Sequence, residues 1–220
     1  MSSAKKTKFK TFDDFFTRDF HENARPIATK GIIHPVDAKV VEQGMLAEHN
    51  ELLIKHKKYL LSDFELQEPS IIAKFSFISY YLAPSNHHQV YMPASGKIIE
   101  CTYVPGTLCS VKPNSDNSKQ IVNSLNERLI ISMQTEEGPI ILIMVGALLV
   151  GSISTAWGKR FTPSNSEHII HEKVNRNYSK GESIARFHYG SSVILITNNQ
   201  LQTLNINPKS LCKMGEALWK

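Results

Sequence analysis

Short β-prone runs, separated at close intervals by proline or glycine, recur along most of this chain and do most to limit what it can fold into. They are Ile32-Ile33, Ala38 to Val41, Ile71 to Phe75, Lys97 to Cys101, Leu129 to Met133, Ile140 to Val145, Leu149 to Ser154 and Ser192 to Thr197. Turn signals at Pro35, Pro69, Pro93, Pro105-Gly106, Gly138-Pro139 and Gly158 divide them. This spacing predicts a mainly β (α+β) fold, a sandwich or barrel-like domain with few helices. Helices are expected over residues 11 to 18, part of 60 to 67, and Ser118 to Asn126. In the first, Thr11 is an N-cap residue followed by acidic residues in the first turn, with aromatic residues at 12, 15 and 16. No internal repeat or linker divides the 220 residues, so residues 1–220 read as a single domain.

The chain contains 41% hydrophobic and 20% charged residues, an ordinary globular balance, with a net charge of +5. That excess is mild and scattered apart from Lys5, Lys6, Lys8 and Lys10, and it argues against nucleic-acid binding. Three cysteines without a CxxC pair make a poor disulfide framework and read as thiols in a reducing cytosol. Nine histidines show no zinc-binding spacing, so no metal is expected. The first ten residues are polar, with no apolar segment typical of a secretory signal. Residues 139–151 hold about eleven apolar residues, short of the ~20 that span a bilayer, and read as a core strand pair. A cytoplasmic protein is expected, soluble or at most peripheral on a membrane.

Taken singly, the candidate functional residues have ordinary readings. Gly190-Ser191-Ser192 before an apolar strand is a turn with a capping serine, His88 is a loop histidine, and Asp37 after Pro35 is a turn former. Their order changes this. TFDDFFTR at 11–18, RPI at 25–27, HPVDA at 34–38, YLAPSNHHQVYMP at 81–93, YVPGTLCSV at 103–111, NER at 126–128, VGA at 145–147, VGSI at 150–153 and RFHYGSSV at 186–193 follow one another along the chain. The series resembles that of the phosphatidylserine decarboxylase family, in order from residue 11 to about residue 215.

The resemblance implies a pyruvoyl-dependent decarboxylase, most simply converting phosphatidylserine to phosphatidylethanolamine and carbon dioxide. A carbonyl cofactor of this kind binds the substrate amine and draws off the electrons left by decarboxylation. It implies self-cleavage between Gly190 and Ser191: Ser191 Oγ attacks the Gly190 carbonyl, the amide becomes an ester, and β-elimination, with water replacing the nitrogen as ammonia, leaves a pyruvoyl group derived from Ser191. A glycine suits the scissile carbonyl because it has no Cβ to block approach. The products are a β chain, 1–190, and an α chain, 191–220, sharing one sheet. The resemblance also implies a homodimer.

By the same resemblance, Asp37 and a histidine activate the serine, and His88 serves as proton donor in decarboxylation. The activating histidine is replaced by Tyr91, and the glycine after the aspartate by Ala38. A tyrosine of pKa about 10 is a far weaker base than imidazole, and general-base help is worth about 10²–10⁴-fold. Three readings stay open: Tyr91 acts as a phenolate beside a cation, His87 or His188 takes the role, or the chain stays uncleaved as a pseudoenzyme binding lipid or a partner. Only ten residues precede the Thr11 motif, so membrane contact rests on the N-terminal lysines or an apolar patch at Phe75-Ser76-Phe77-Ile78. Without such contact, the substrate is a soluble or carrier-bound amino-acid carboxylate.

Overall fold

A computed structural model of the chain describes residues 8–21, 24–46, 51–54, 57–66, 75–110, 124–147, 152–162, 168–188, 191–198 and 210–218. Helix α1 (Phe12–Phe16) is followed by strands β1 (Ala38–Met45), β2 (Glu51–Ile54), β3 (Lys57–Leu60), β4 (Ser76–Leu82), β5 (Gln89–Tyr91), β6 (Gly96–Val104) and β7 (Arg128–Thr135). Then come β8 (Gly138–Gly146), β9 (Ile153–Thr155), β10 (Arg160–Phe161), β11 (Ile170–Tyr178), β12 (Ser183–Phe187), β13 (Ser191–Thr197) and β14 (Leu211–Cys212). The mainly β expectation holds. Eight strands form one sheet in the order β11-β6-β7-β8-β13-β4-β1-β14, four form a second, β10-β9-β12-β5, and β2-β3 pair alone. All of these pairings are antiparallel.

The centre of the large sheet follows from the apolar runs. Val193, Ile194, Leu195 and Ile196 are consecutive and fully buried, so β13 is covered on both faces. Each such side chain contributes about 1.5–3 kcal/mol by leaving water. One hydrophobic core joins the three sheets, with Ile143 and Tyr80 from the large sheet, Phe187 from the second and Leu52 from the hairpin. The C-terminal segment closes over the N-terminal one: His34 N–H donates to Glu216 O (2.8 Å), Leu218 N–H to Ile32 O (2.9 Å) and Gly215 N–H to His34 O (3.1 Å).

Several expectations change. Phe75, Ser76, Phe77 and Ile78 are buried, the last three in β4 between β13 and β1, so they form no lipid-docking patch. Residues 118–123 lie outside the described residues, and 124–126 form a turn and a bridge to Thr107, not a helix. The expected helix within 60–67 is one 3₁₀ turn, Leu61–Phe64, ended by Glu65 at φ 63°. Of the expected strand pair within 139–154, β8 forms as one nine-residue strand; residues 148–151 lie outside the described residues and β9 starts at Ile153. Residues 71–74 also lie outside the described residues. Helix α1 is shorter than expected but capped as its sequence requires. Asp14 N–H donates to Thr11 Oγ1 (3.1 Å) and Thr11 N–H to Asp14 Oδ2 (3.3 Å), a reciprocal box.

Candidate active site around Ser191

Ser191 is the first residue of β13 and fully buried. It pairs with Leu82 at the end of β4 and with Gly146 at the end of β8. Its Oγ has no hydrogen-bond partner among the described residues, and neither has that of Ser192. Leaving such a group unpaired costs about 1–3 kcal/mol. Gly190 lies outside the described residues.

Beyond Leu82 the chain reverses in a turn held by Asn86, whose side chain accepts from Ala83 N–H (2.8 Å) and whose own N–H donates to Ala83 O (2.8 Å). This returns His87 and His88 toward Ser191's neighbour. Arg18 ties α1 to the same turn through Ser85 O (2.7 Å) and Asn86 O (3.2 Å). His88, expected in a polar loop, and His87 are buried at 1% and 3% exposure. Phe20 stacks on His87 at 3.7 Å, and Phe16 lies against His88 at 3.9 Å.

Burial pushes His88 down to about 3 and His87 down to about 4, so both rings are neutral at physiological pH. His88 Nδ1 lies 3.0 Å from Asn86 O, and a carbonyl can only accept, so Nδ1 carries the proton. Its Nε2 is then a bare lone pair, buried and without a partner among the described residues.

Asp37 is held otherwise than the sequence implies. Arg25 Nε donates to both carboxylate oxygens (3.0 and 3.2 Å), Arg25 Nη2 to Oδ2 (2.5 Å), and Met214 N–H to Oδ1 (2.9 Å). No histidine or tyrosine hydrogen bonds to Asp37 among the described residues. Its charge reaches His87 and Tyr91 only through space. The Arg25 pKa is raised, chiefly by the hydrogen bond to Asp37.

Tyr91 Oη meets His87 Nε2 at 2.9 Å and donates to Gln89 Oε1 at 3.3 Å. Burial raises its pKa well above the usual tyrosine value, against the smaller opposing pull of Arg186 and Arg25. It is a protonated phenol, not a phenolate. His188 Nε2 lies 3.1 Å from Ser154 Oγ. Thus Ser191 pairs with Leu82 at the end of β4, a few residues before His88, while Tyr91 and His87 bond each other and Gln89, and Asp37 bonds Arg25.

Two site residues escaped the sequence reading although their motifs were visible. Arg25 belongs to RPI, and its signal was one cation near one aspartate. Glu127 belongs to NER; it is buried, with Oε2 accepting from Tyr103 Oη (2.8 Å) and Oε1 without a partner among the described residues. Burial lifts its carboxyl to about 7, against the opposing effect of the Tyr103 bond. A carboxyl beside apolar residues at 125 and 129–131 was the available clue.

Among the described residues, no group of histidine, cysteine and carboxylate side chains could hold a metal ion, and no helix is long and apolar enough to cross a membrane. The sequence model of the family described as phosphatidylserine decarboxylase matches residues 12–220. A curated phosphatidylserine decarboxylase proenzyme from Coxiella burnetii (strain RSA 331 / Henzerling II) is 34% identical, over 94% of this chain and 77% of its own. Proteins of the same name from Blochmanniella pennsylvanica (strain BPEN) and Shewanella sp. (strain ANA-3) are 33% and 32% identical, over 96% and 95% of this chain and 78% and 76% of theirs.

Proposed function

Because the chain belongs to the phosphatidylserine decarboxylase family, we propose that it cleaves itself between Gly190 and Ser191 and decarboxylates phosphatidylserine to phosphatidylethanolamine. The observation that carries this reading is the fully buried hydroxyl of Ser191, without a partner among the described residues, at the head of the central strand. A buried polar group with nothing to bond is destabilising, and such groups concentrate where chemistry uses them. The pyruvoyl group derived from Ser191 supplies an electron sink for the carboxylate carbon.

The residues around it fit such a group. His88 follows the turn after Leu82, the β4 partner of Ser191, and its Nε2, without a partner among the described residues, can accept a proton. Phe16 and the Asn86 carbonyl fix the orientation of its ring. A cleft of about 450 Å³ lined by Lys8, Lys10, Arg18, Arg186, Asp14 and Asp19 offers four cations against two carboxylates, which favours an anionic headgroup.

On this reading residues 1–220 act as one domain that matures into chains 1–190 and 191–220. The small chain stays bound because β13 is paired on both sides and β14 pairs with β1. A second reading, an uncleaved member that binds lipid or a partner without catalysis, draws on Tyr91, which is protonated and bonded to His87.

Carbon dioxide release from phosphatidylserine in detergent micelles tests the proposal, with free serine as the soluble alternative. Release from the lipid, abolished by Ser191→Ala, is expected. Release from neither substrate contradicts it, and release from serine alone moves the substrate class to soluble amino acids.

A further inference from the structure

Self-cleavage needs a group that takes the proton of Ser191 Oγ, and the structure leaves the expected candidates engaged elsewhere: Tyr91 with His87, and His188 with Ser154. The sheet offers another. Gly146 N–H donates to Glu127 O (2.9 Å) and Gly146 O accepts from Asn126 Nδ2 (2.8 Å), so both of its backbone groups point toward β7. It therefore meets Ser191 as a non-hydrogen-bonded antiparallel pair, in which Cα atoms are about 4.5 Å apart and side chains are closest. Directly paired residues project from the same face of a sheet.

The Glu127 side chain occupies that face over Gly146. A methyl group placed on Gly146 would lie 2.6 Å from Glu127 Cγ and 2.7 Å from its Oε1. Glu127, the residue before β7, thus lies in a row with Gly146 of β8 and Ser191 of β13, and the missing side chain in the middle is what lets the carboxyl lie toward the serine. Tyr103 anchors Oε2, while Oε1 and Ser191 Oγ are two buried polar atoms without partners among the described residues.

We infer that Glu127 is the proton acceptor for Ser191 in self-cleavage, an inference that rests on the function proposed above. Glu127 carboxylate takes the Oγ proton, directly or through one water, as Oγ bonds to the Gly190 carbonyl carbon. The carbon–nitrogen bond to Ser191 then breaks, and that nitrogen receives the proton from Glu127. An amide becomes an ester and a free amine, with no net change of protons and no external reactant. A carboxyl lifted to about 7 by burial serves both halves of this transfer at neutral pH. Tyr103 is the titratable group in contact with it among the described residues, and Arg128 turns its guanidinium away to the carbonyls of Ser124, Asn126 and Asp63.

The test is the cleavage rate of freshly synthesised full-length chain, pulse-labelled in a cell-free system and chased from pH 5.5 to 8.5. The wild-type rate is expected to rise with pH and level off above an inflection near 7. Glu127→Gln keeps the volume and an acceptor for Tyr103, so its thermal melt should hold while cleavage slows at least about 100-fold and the inflection disappears. Glu127→Asp retains a carboxylate and should keep an inflection at a reduced rate. Cleavage of Glu127→Gln within about threefold of wild type with the same inflection overturns the inference. So does an inflection lost in His88→Ala but kept in Glu127→Gln. If wild-type chain gives no fragment at any pH, the self-cleavage reading itself falls, an outcome distinct from fragment formation that ignores Glu127.

Discussion

Arg25 grips Asp37 through three hydrogen bonds of 2.5 to 3.2 Å, while its guanidinium lies 4.3 Å from the centre of the Phe20 ring. Phe20 in turn stacks on His87, so this ion pair supports one wall of the histidine cluster. The aspartate that family resemblance casts as an activator is, in the uncleaved chain, a partner of arginine. Both side chains are largely covered, at 15% and 11% exposure.

Arg25→Ala should therefore destabilise the fold by about 3 kcal/mol, because it leaves a buried carboxylate without its counter-charge. Arg25→Lys should recover part of that loss, since an ammonium keeps the charge but not the fork. Urea unfolding at pH 7 reads both, and equal stability of wild type and Arg25→Ala contradicts the assignment.

Tyr91→Phe removes the hydroxyl that His87 and Gln89 share. A loss of about 1 kcal/mol is expected. Cleavage at Ser191 should continue at close to the wild-type rate, because a phenol held protonated by burial is not the base. Cleavage lost in this variant, with the fold intact on thermal melting, would return Tyr91 to the chemistry.

Gly146→Ala should both destabilise and slow processing. The new methyl group would collide with Glu127 Cγ and Oε1, and overpacking of this kind costs about 1–3 kcal/mol. A cleavage rate that falls while the melt shifts only a few degrees is the expected pattern. An unchanged rate would mean that the Glu127 carboxyl does not need the space over Gly146.

Stability should fall on mild acidification. Burial depresses His34 and His87 to about 4 and His88 to about 3, so the folded chain resists protons that the unfolded chain accepts below about 6.5. That stability is present above pH 6.5 and lost as pH falls toward 4, at about 1.4 kcal/mol per pH unit for each ring. Glu127 acts in the opposite sense, since its raised pKa favours the fold below about 4.5 and loses that contribution as pH rises to about 7. A net slope of about two protons is expected between pH 6.5 and 5, and Glu127→Gln should steepen it by about one. Urea midpoints across that range measure it, and a flat profile contradicts the buried neutral histidines.

Strands whose residues are nearly all buried were legible in the sequence. Leu129 to Met133, Ile140 to Val145 and Ser192 to Thr197 each lie inside the strand that forms. Strand β11 was not, because as an edge strand it is mostly exposed and carries Glu172 and Arg176 where the alternation set by Ile170, Val174 and Tyr178 would need apolar residues. Much of β4 was missed for the opposite reason: buried on both faces, it mixes Ser76, Ser79 and Tyr80 with apolar residues and shows no alternation. At the site, the motif around Ser191 identified the residue, but not which groups face it. The binding of Asp37 by Arg25 and Met214, and the reach of Glu127 over a glycine, depend on how the strands and the C-terminal segment pair, which a motif does not encode.

Whether the bond before Ser191 breaks is read by intact-mass spectrometry of the purified protein. A 30-residue chain, 191–220, whose N-terminus is a pyruvoyl group is expected together with chain 1–190, both absent from Ser191→Ala. A single 24.8 kDa species after prolonged incubation at pH 7 to 8 would contradict it.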